Sequence, residues 1–217
     1  VQTIGLLGGT FNPIHFGHLR MAQELAESLS LNEVRFIPSA NPPHKPTPDT
    51  SANNRAAMVE LAVADNSLFK FDGRELLRTG ASYTVDTLKD LRKELGSDAS
   101  LVLIMGSDAF TKFNTWHRWQ EIIGLCHIAL VQRPVSSINE PLTNDLETFL
   151  HNHYTEHVQD LHNTSSGLVT MQAITPLEIS STAIRKALQN KYSARYLLPD
   201  SVLEYINEYQ LYKTISA

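Results

Sequence analysis

An α/β fold, with a single doubly wound and mainly parallel sheet carrying helices on both faces, follows from three observations. Short apolar runs of strand length alternate with longer stretches of helical periodicity along the whole chain. The run Leu101 to Met105 is apolar throughout, as in a central strand buried on both faces, and His127 to Val131 repeats the pattern. Glycines and hydroxyl-bearing residues punctuate the ends of these runs, at Gly8-Gly9 and at Gly106-Ser107. Strand and helix in alternation imply right-handed crossovers, because parallel neighbours cannot be joined by a tight hairpin.

The elements follow in order. Thr3 to Leu7 reads as a buried first strand running into Gly8-Gly9. A helix is expected from about His18 to Leu29, where Leu19, Ala22, Leu25, Ala26 and Leu29 recur at three- and four-residue spacing. Val34 to Pro38 is a second strand, and the proline-rich loop Ser39 to Thr50 cannot be helical. Asn53 to Asp65 gives a further amphipathic helix, Phe69 to Phe71 a short third strand. Ser82 is the expected N-cap of a helix from Tyr83 to Leu95 that stops at Gly96. The two apolar strands come next, and the polar stretch Ser136 to Ser166, with weak helical character, is expected on the surface. Leu168 to Ile174 is a short strand, and helices over Ser180 to Gln189 and Ser201 to Tyr209 close the chain. No linker rich in Gly or Ser divides the chain, so one domain over residues 1–217 is expected, with a helical C-terminal part from about residue 180.

Composition narrows the partners. The 217 residues are 42 % hydrophobic and 19 % charged, an ordinary globular balance. A net charge of −5 argues against nucleic acid as a partner, since backbone phosphates demand a basic surface. Basic residues are scattered, so a polyanion must be met in a pocket where a few positive groups converge. The one cysteine, Cys126, lies in an apolar run and reads as a small core residue. No apolar stretch approaches the ~18 residues of a membrane span, and a reduced, cytoplasmic protein is expected.

Two constellations carry chemistry. The first is Gly8-Gly9-Thr10-Phe11-Asn12-Pro13-Ile14-His15-Phe16-Gly17-His18. Glycines after a first strand let backbone approach a ligand, and the helix that follows offers N–H groups and partial positive charge. Neither the dinucleotide fingerprint nor a Walker loop is present. Instead His15 and His18 stand three apart at a helix start, where two imidazoles can donate to a phosphoryl group as its charge shifts. A purely structural reading, as polar cap residues, competes with this. The second constellation is Ile179-Ser180-Ser181-Thr182-Ala183-Ile184-Arg185, a hydroxyl-rich cap with Arg185 one turn away on roughly the same face. Guanidinium binds phosphate in bidentate fashion, so the cap can act as a triphosphate clamp.

Together the two resemble the HxGH and ISSTxxR signatures of the nucleotidyltransferase branch of the HIGH superfamily. Within that branch the chain resembles the bacterial nicotinate-nucleotide adenylyltransferases nearly end to end. The shared stretches are GGTFNPIHFGH, NPPHK (Asn41 to Lys45), RELLRTGASYTVDTL (Arg74 to Leu88), IMGSDAF (Ile104 to Phe110), QRP and ISSTAIR. The two end motifs also occur in phosphopantetheine adenylyltransferases and cytidylyltransferases; the middle ones are more particular to the nicotinate enzymes.

The resemblance implies a Rossmann-like sheet and attack by a mononucleotide phosphate on the α-phosphorus of ATP. It implies His15, His18 and Arg185 as catalytic residues. ATP is expected on Gly8, Gly9, Thr10, Phe11, His18, Gly106, Asp108, Ser181, Thr182 and Arg185, with Asp108 accepting from ribose hydroxyls or, alternatively, capping a helix. Nicotinate mononucleotide is expected on Lys45, Ser82, Tyr83, Thr84, Trp116, His117 and Arg133, with Trp116 stacking on the pyridine ring. His117 departs from relatives in which tyrosine follows that tryptophan, which puts any contact of the phenol in doubt. Magnesium is expected to travel with the ATP phosphates, and no dedicated protein metal site is expected. No membrane partner is expected, and a monomer or a weak dimer remains open. Rival acceptors are phosphopantetheine and nicotinamide mononucleotide; a nucleotide sensor without turnover and a tRNA synthetase fragment are the readings from other classes. The Pro42 to Pro48 loop is expected to close over substrate.

Overall fold

A computed structural model of the chain describes residues 2–41, 48, 50–132 and 142–213. In chain order the elements begin with β1 (Thr3–Gly9), α1 (Phe16–Ser28), β2 (Glu33–Pro38), α2 (Ala52–Val63) and β3 (Phe69–Phe71). A 3-10 turn (Arg74–Leu77), α3 (Thr84–Leu95), β4 (Ser100–Gly106), α4 (Ser107–Phe110), a second 3-10 turn (Phe113–Thr115) and α5 (Trp119–Ile122) follow. The rest is β5 (His127–Gln132), α6 (Asn144–His153), α7 (Asp160–Asn163), β6 (Val169–Ala173), α8 (Ser181–Gln189) and α9 (Asp200–Glu208).

The six strands form one sheet in the order β3-β2-β1-β4-β5-β6. Every pairing in it is parallel. The order reverses between β1 and β4, as in a doubly wound sheet. Side chains alternate between faces with period two, so each inner strand feeds two cores. On one side Leu7, Val34, Phe36, Val102, Ile104, Ala129 and Val131 pack under α1, α2, α8 and α9. On the other Ile4, Leu6, Leu101, Leu103, Met105, Ile128 and Leu130 pack under α3, α5 and α6. Burial on both faces is why β4 and β5 read as continuous apolar runs. Each fully buried aliphatic side chain contributes roughly 1.5–3 kcal/mol toward this arrangement.

Three expectations need correction. Ser82 does not cap α3: Tyr83 is the N-cap residue and makes no side-chain cap hydrogen bond. The alternative role of Asp108 as a helix cap falls as well, because Gly106 occupies that position and Asp108 lies inside the first turn. The polar stretch after β5 is not purely surface, since Leu146, Phe149 and Leu161 are buried. In α6 the apolar residues Leu146, Phe149 and Leu150 recur at three- and four-residue spacing, and this stripe is the face that turns inward. Cys126 is fully buried, as expected of a core residue, and burial pushes its thiol up to about 12.

The amino edge of the sheet carries a buried polar knot. The Arg92 guanidinium donates to the carbonyls of Leu125, Gly96, Ala99 and Ser165. Beside it His127, fully buried, accepts the Leu168 N–H at Nδ1 (3.2 Å) and faces the Thr164 carbonyl with Nε2 (3.0 Å). An Nδ1 that accepts carries no proton, so the neutral ring holds its hydrogen on Nε2 and both nitrogens are satisfied. Burial, with Arg92 and His162 nearby, pushes the His127 imidazole below its usual range, although the Thr164 carbonyl opposes the shift. The unfolded chain therefore takes up this proton first. The contribution of His127 to stability is full above about pH 6.5, the unfolded value, and is lost as pH falls through the folded value. Urea unfolding followed from pH 8 to pH 5 is expected to show that loss, and His127→Gln to flatten it relative to the unaltered chain.

Candidate active site

The site lies where the strand order reverses. The β1–β4 pairing ends at Leu6 opposite Leu103, yet β1 continues to Gly9 and β4 to Gly106. The strands part over their last residues, which opens a crevice at the carboxyl edge of the sheet. Gly8, Gly9 and Gly106 form its floor, and an added Cβ at Gly8 or Gly106 would meet nothing within 4 Å. Asp108 stands exposed just beyond the end of β4, in the first turn of α4.

The histidine pair stands at one wall. His15 is the extended N-cap residue of α1, and its backbone N–H donates to His18 Nδ1 at 3.3 Å. Because that Nδ1 accepts, the neutral His18 ring carries its hydrogen on Nε2, the edge that can donate to an oxyanion. The His15 and His18 rings lie 3.8 Å apart, tilted by 31°. His15 is buried and His18 half-buried, so His18 is the more accessible of the two. Gly17 makes this possible, because a Cβ there would sit 3.0 Å from the His15 ring. Phe11, buried and with φ of 49°, meets His18 edge-on at 5.2 Å between centroids and also packs on Phe36. Its ring packs under Gly9, where an added Cβ would sit 2.9 Å from it.

The start of α8 is latched onto the same loop. Ser180 caps the helix by accepting the Ala183 N–H, and the Ser181 hydroxyl donates to the Pro13 carbonyl at 2.8 Å. Arg185 Nη1 donates to the Asn12 carbonyl at 2.8 Å, and its Nη2 lies 3.4 Å from the Thr182 hydroxyl. On the far side of Asn12, the side-chain oxygen accepts from the Tyr212 hydroxyl at 2.7 Å. Ser181, Arg185 and His18 thus converge on one loop although they come from opposite ends of the chain.

Beneath that loop lies Arg55, 1 % exposed. Its Nη1 donates to the carbonyls of Thr10 and Ser39 (both 2.7 Å), its Nη2 to Ala40 (3.1 Å) and its Nε to Thr50 (3.4 Å). No ion pair joins Arg55 to a carboxylate among the described residues. Burial pushes its guanidinium down from its usual range, yet an arginine in a protein stays protonated.

The opposite wall is the N-terminus of α3. A helix that connects parallel strands runs against them, so Thr84 comes to the carboxyl edge. Ser82 pairs with Asn41, just beyond β2: the Ser82 N–H donates to the Asn41 carbonyl (3.1 Å), and the Ser82 hydroxyl accepts the Asn41 N–H (3.3 Å). The Tyr83 ring stacks on His117, with centroids 4.4 Å apart and a tilt of 31°. Trp116 is half-buried and meets Phe113 edge-on at 5.6 Å. Ser82, Tyr83, Thr84, Trp116 and His117 therefore belong to one neighbourhood. Lys45 and Arg133, and most of the Pro42 to Pro48 loop, lie outside the described residues.

Comparison with known proteins identifies the family. Residues 6–187 match the cytidylyltransferase-like family. A protein of Dechloromonas aromatica named "probable nicotinate-nucleotide adenylyltransferase" is 46 % identical over 213 residues, covering 98 % of each chain. One of the same name from Pseudomonas fluorescens is 47 % identical over 212 residues, again covering 98 % of each. The chain belongs to the nicotinate-nucleotide adenylyltransferase family. The Plasmodium falciparum nicotinic acid mononucleotide adenylyltransferase complexed with NaAD has the same fold: TM-score 0.71, 17 % identity and 98 % of each chain covered.

Sequence reasoning passed over several residues that shape the site in this member of the adenylyltransferase family. Arg55 was legible only as a misfit, a charge on the apolar stripe that continues through Met58 and Val59 at three- and four-residue spacing. Tyr212 gave no signal, since its partner Asn12 is 200 residues away. Arg55→Met would leave four buried or half-buried carbonyls without this donor. It is expected to lower the unfolding free energy by at least about 3 kcal/mol, measured by urea denaturation. Gly17→Ala is expected to leave stability within about 1 kcal/mol while displacing the His15 ring, visible as shifted imidazole resonances.

Proposed function

We propose that the chain transfers the adenylyl group of ATP to nicotinate mononucleotide, releasing pyrophosphate and giving deamido-NAD for NAD biosynthesis in the cytoplasm. The observation that carries this reading is a crevice with two unlike walls, one with phosphate-binding groups from α1 and α8, the other the N-terminus of α3 beside an aromatic pair. Two nucleotides facing each other across the strand divide would meet phosphate to phosphate.

A phosphate oxygen of the mononucleotide attacks the α-phosphorus of ATP; the new P–O bond forms as the bridge to the β-phosphorus breaks, and pyrophosphate leaves with the electron pair. No side chain is modified. The protein supplies position and charge, as suits the loose transition state of phosphoryl transfer. His18 donates its Nε2 hydrogen to the α-phosphoryl oxygens beside the positive end of α1, and His15 fixes the tautomer through its backbone N–H. Thr10 and the backbone of Gly8, Gly9 and Phe11 approach the α-phosphate. Ser181, Thr182 and Arg185 receive the β- and γ-phosphates, with Arg185 oriented by its bond to the Asn12 carbonyl. The Gly106 backbone and the Asp108 carboxylate take the ribose of ATP.

The nicotinate carboxylate docks at the α3 N-terminus, on Ser82, Tyr83 and Thr84, where backbone N–H groups favour an anion. Trp116 stacks on the pyridine ring, and His117 holds its place against Tyr83. Lys45 and Arg133 take the mononucleotide phosphate. Among the described residues no group of three or more His, Cys, Asp or Glu side chains converges as a protein-held metal would require. Magnesium enters with the triphosphate, as part of the substrate.

Pyrophosphate release is the direct test, with ATP, magnesium and, in parallel, nicotinate mononucleotide, nicotinamide mononucleotide or phosphopantetheine. The acid is expected to be used in strong preference. His18→Ala is expected to lower kcat about 10²- to 10³-fold with little change in the thermal melt. Release with phosphopantetheine alone would keep adenylyl transfer and discard the acceptor wall, and silence with all three despite ATP binding would leave a sensor.

A further inference from the structure

Tyr212 has no part in the chemistry above, yet its hydroxyl reaches the loop on which that chemistry depends. α9 is docked on α2 by the Tyr205 hydroxyl, which donates to Asn54 Oδ1 at 3.0 Å. Past Glu208 the chain reverses: the Leu211 N–H returns to the Ile206 carbonyl at 3.0 Å. Gln210 and Tyr212 both take left-handed backbone, with φ of 53° and 60°. That region favours glycine, and other residues persist there where the packed chain over-determines them. The double turn sends the Tyr212 side chain into the same apolar core as Phe11, Ile14 and Ile184, where it is 8 % exposed.

A phenylalanine ring would fill that place equally well, so the hydroxyl needs its own reason. Its hydrogen goes to Asn12 Oδ1 at 2.7 Å, and Asn12 is itself buried. Asn12 thus offers two acceptors to two donors from the C-terminal part of the chain. The carboxamide oxygen takes Tyr212, and the backbone carbonyl takes Arg185 Nη1 at 2.8 Å. A guanidinium is a rigid planar fork, so one N–H committed to Asn12 fixes the plane in which its other donors are presented. Asn12 is the joint between the two, and the Tyr212 hydroxyl keeps that joint from turning. Without it a buried carboxamide oxygen loses its donor, a loss that drives the residue toward any other donor or water.

We infer that Tyr212 is a positioning residue for ATP: through Asn12 it holds the Arg185 guanidinium in the plane that receives the β- and γ-phosphates. The inference rests on the reading of α1 and α8 as the phosphate wall, and it makes the turn after α9 part of the ATP site at one remove. A nucleotide that carries only the α-phosphate does not reach Arg185 and is indifferent to this tie.

Calorimetric titration of the full chain with ATP and magnesium, and separately with AMP, tests this without any acceptor. Tyr212→Phe keeps the ring and removes the hydroxyl. It is expected to raise Kd for ATP about tenfold, the scale of one misplaced hydrogen bond to a charged group, and to leave Kd for AMP within about twofold. A loop that was merely loosened would weaken both nucleotides, since they share the α-phosphate contacts. Arg185→Ala is expected to weaken ATP by itself, and Tyr212→Phe added to it to weaken ATP no further, because both act through one guanidinium. Asn12→Leu, which keeps the shape and removes the side-chain acceptor, carries the same expectation if Tyr212→Phe does not fold. Equal losses for ATP and AMP, an unchanged ATP affinity, or additive effects with Arg185→Ala overturn the inference. The unaltered chain tells the failures apart: ATP binding without adenylation of any mononucleotide sinks the acceptor reading alone, and no ATP binding sinks the phosphate wall and this inference with it.

Discussion

A buried guanidinium under a loop is the constraint on which this site depends. The loop after β1 and the loop after β2 both leave the sheet at its carboxyl edge with half-buried carbonyls turned toward the buried Arg55. Unpaired, each such group costs about 1–3 kcal/mol. Arg55 satisfies several at once because its planar fork of five donors suits convergent acceptors, which a lysine could not match. It thereby fixes Thr10 against Ser39 and Ala40, and everything above follows from that placement. Asn12 is set to receive Arg185 and Tyr212, Pro13 to receive Ser181, and His15 to cap α1.

The site that results is held at both ends of the chain. Loop 10–15 is gripped from below by α2, from the side by α8, and by Tyr212 near the last described residues. These bonds hold the segment that carries the histidines against α8 and α1. The wall at the start of α3 is built differently. It joins the segment after β2, the start of α3 and the segment after α4 through the Ser82–Asn41 pair and one ring stack.

The overall charge of −5 coexists with a site for two anionic substrates. Local convergence resolves the conflict. Helix N-termini, two imidazoles and the guanidinium of Arg185 gather at one edge, while acidic side chains such as Glu33, Asp72 and Glu94 are engaged by Arg35 and Arg74 at the β2–β3 side of the sheet. Net charge governs long-range behaviour, and a pocket answers to the few groups within about a Debye length.

How much of this was legible in the sequence depended on how far each signal reaches along the chain. The strands, the main helices, the parallel sheet, the glycine turn, the histidine pair and the hydroxyl-rich start of α8 are local patterns, because period, capping and turn chemistry act over a few residues. The sequence by itself therefore determined the α/β class and the motifs of the phosphate wall, with an end-to-end resemblance to one family. Only the tertiary structure decided that Ser82 pairs with Asn41 instead of capping α3, that Tyr83 and His117 stack, that Phe11 turns inward, and that Arg55 and Tyr212 hold the loop after β1. Those outcomes turn on which buried donors and acceptors meet across long sequence separations. No local pattern encodes them, because a polar group buried by folding takes whichever partner the packed chain brings within reach.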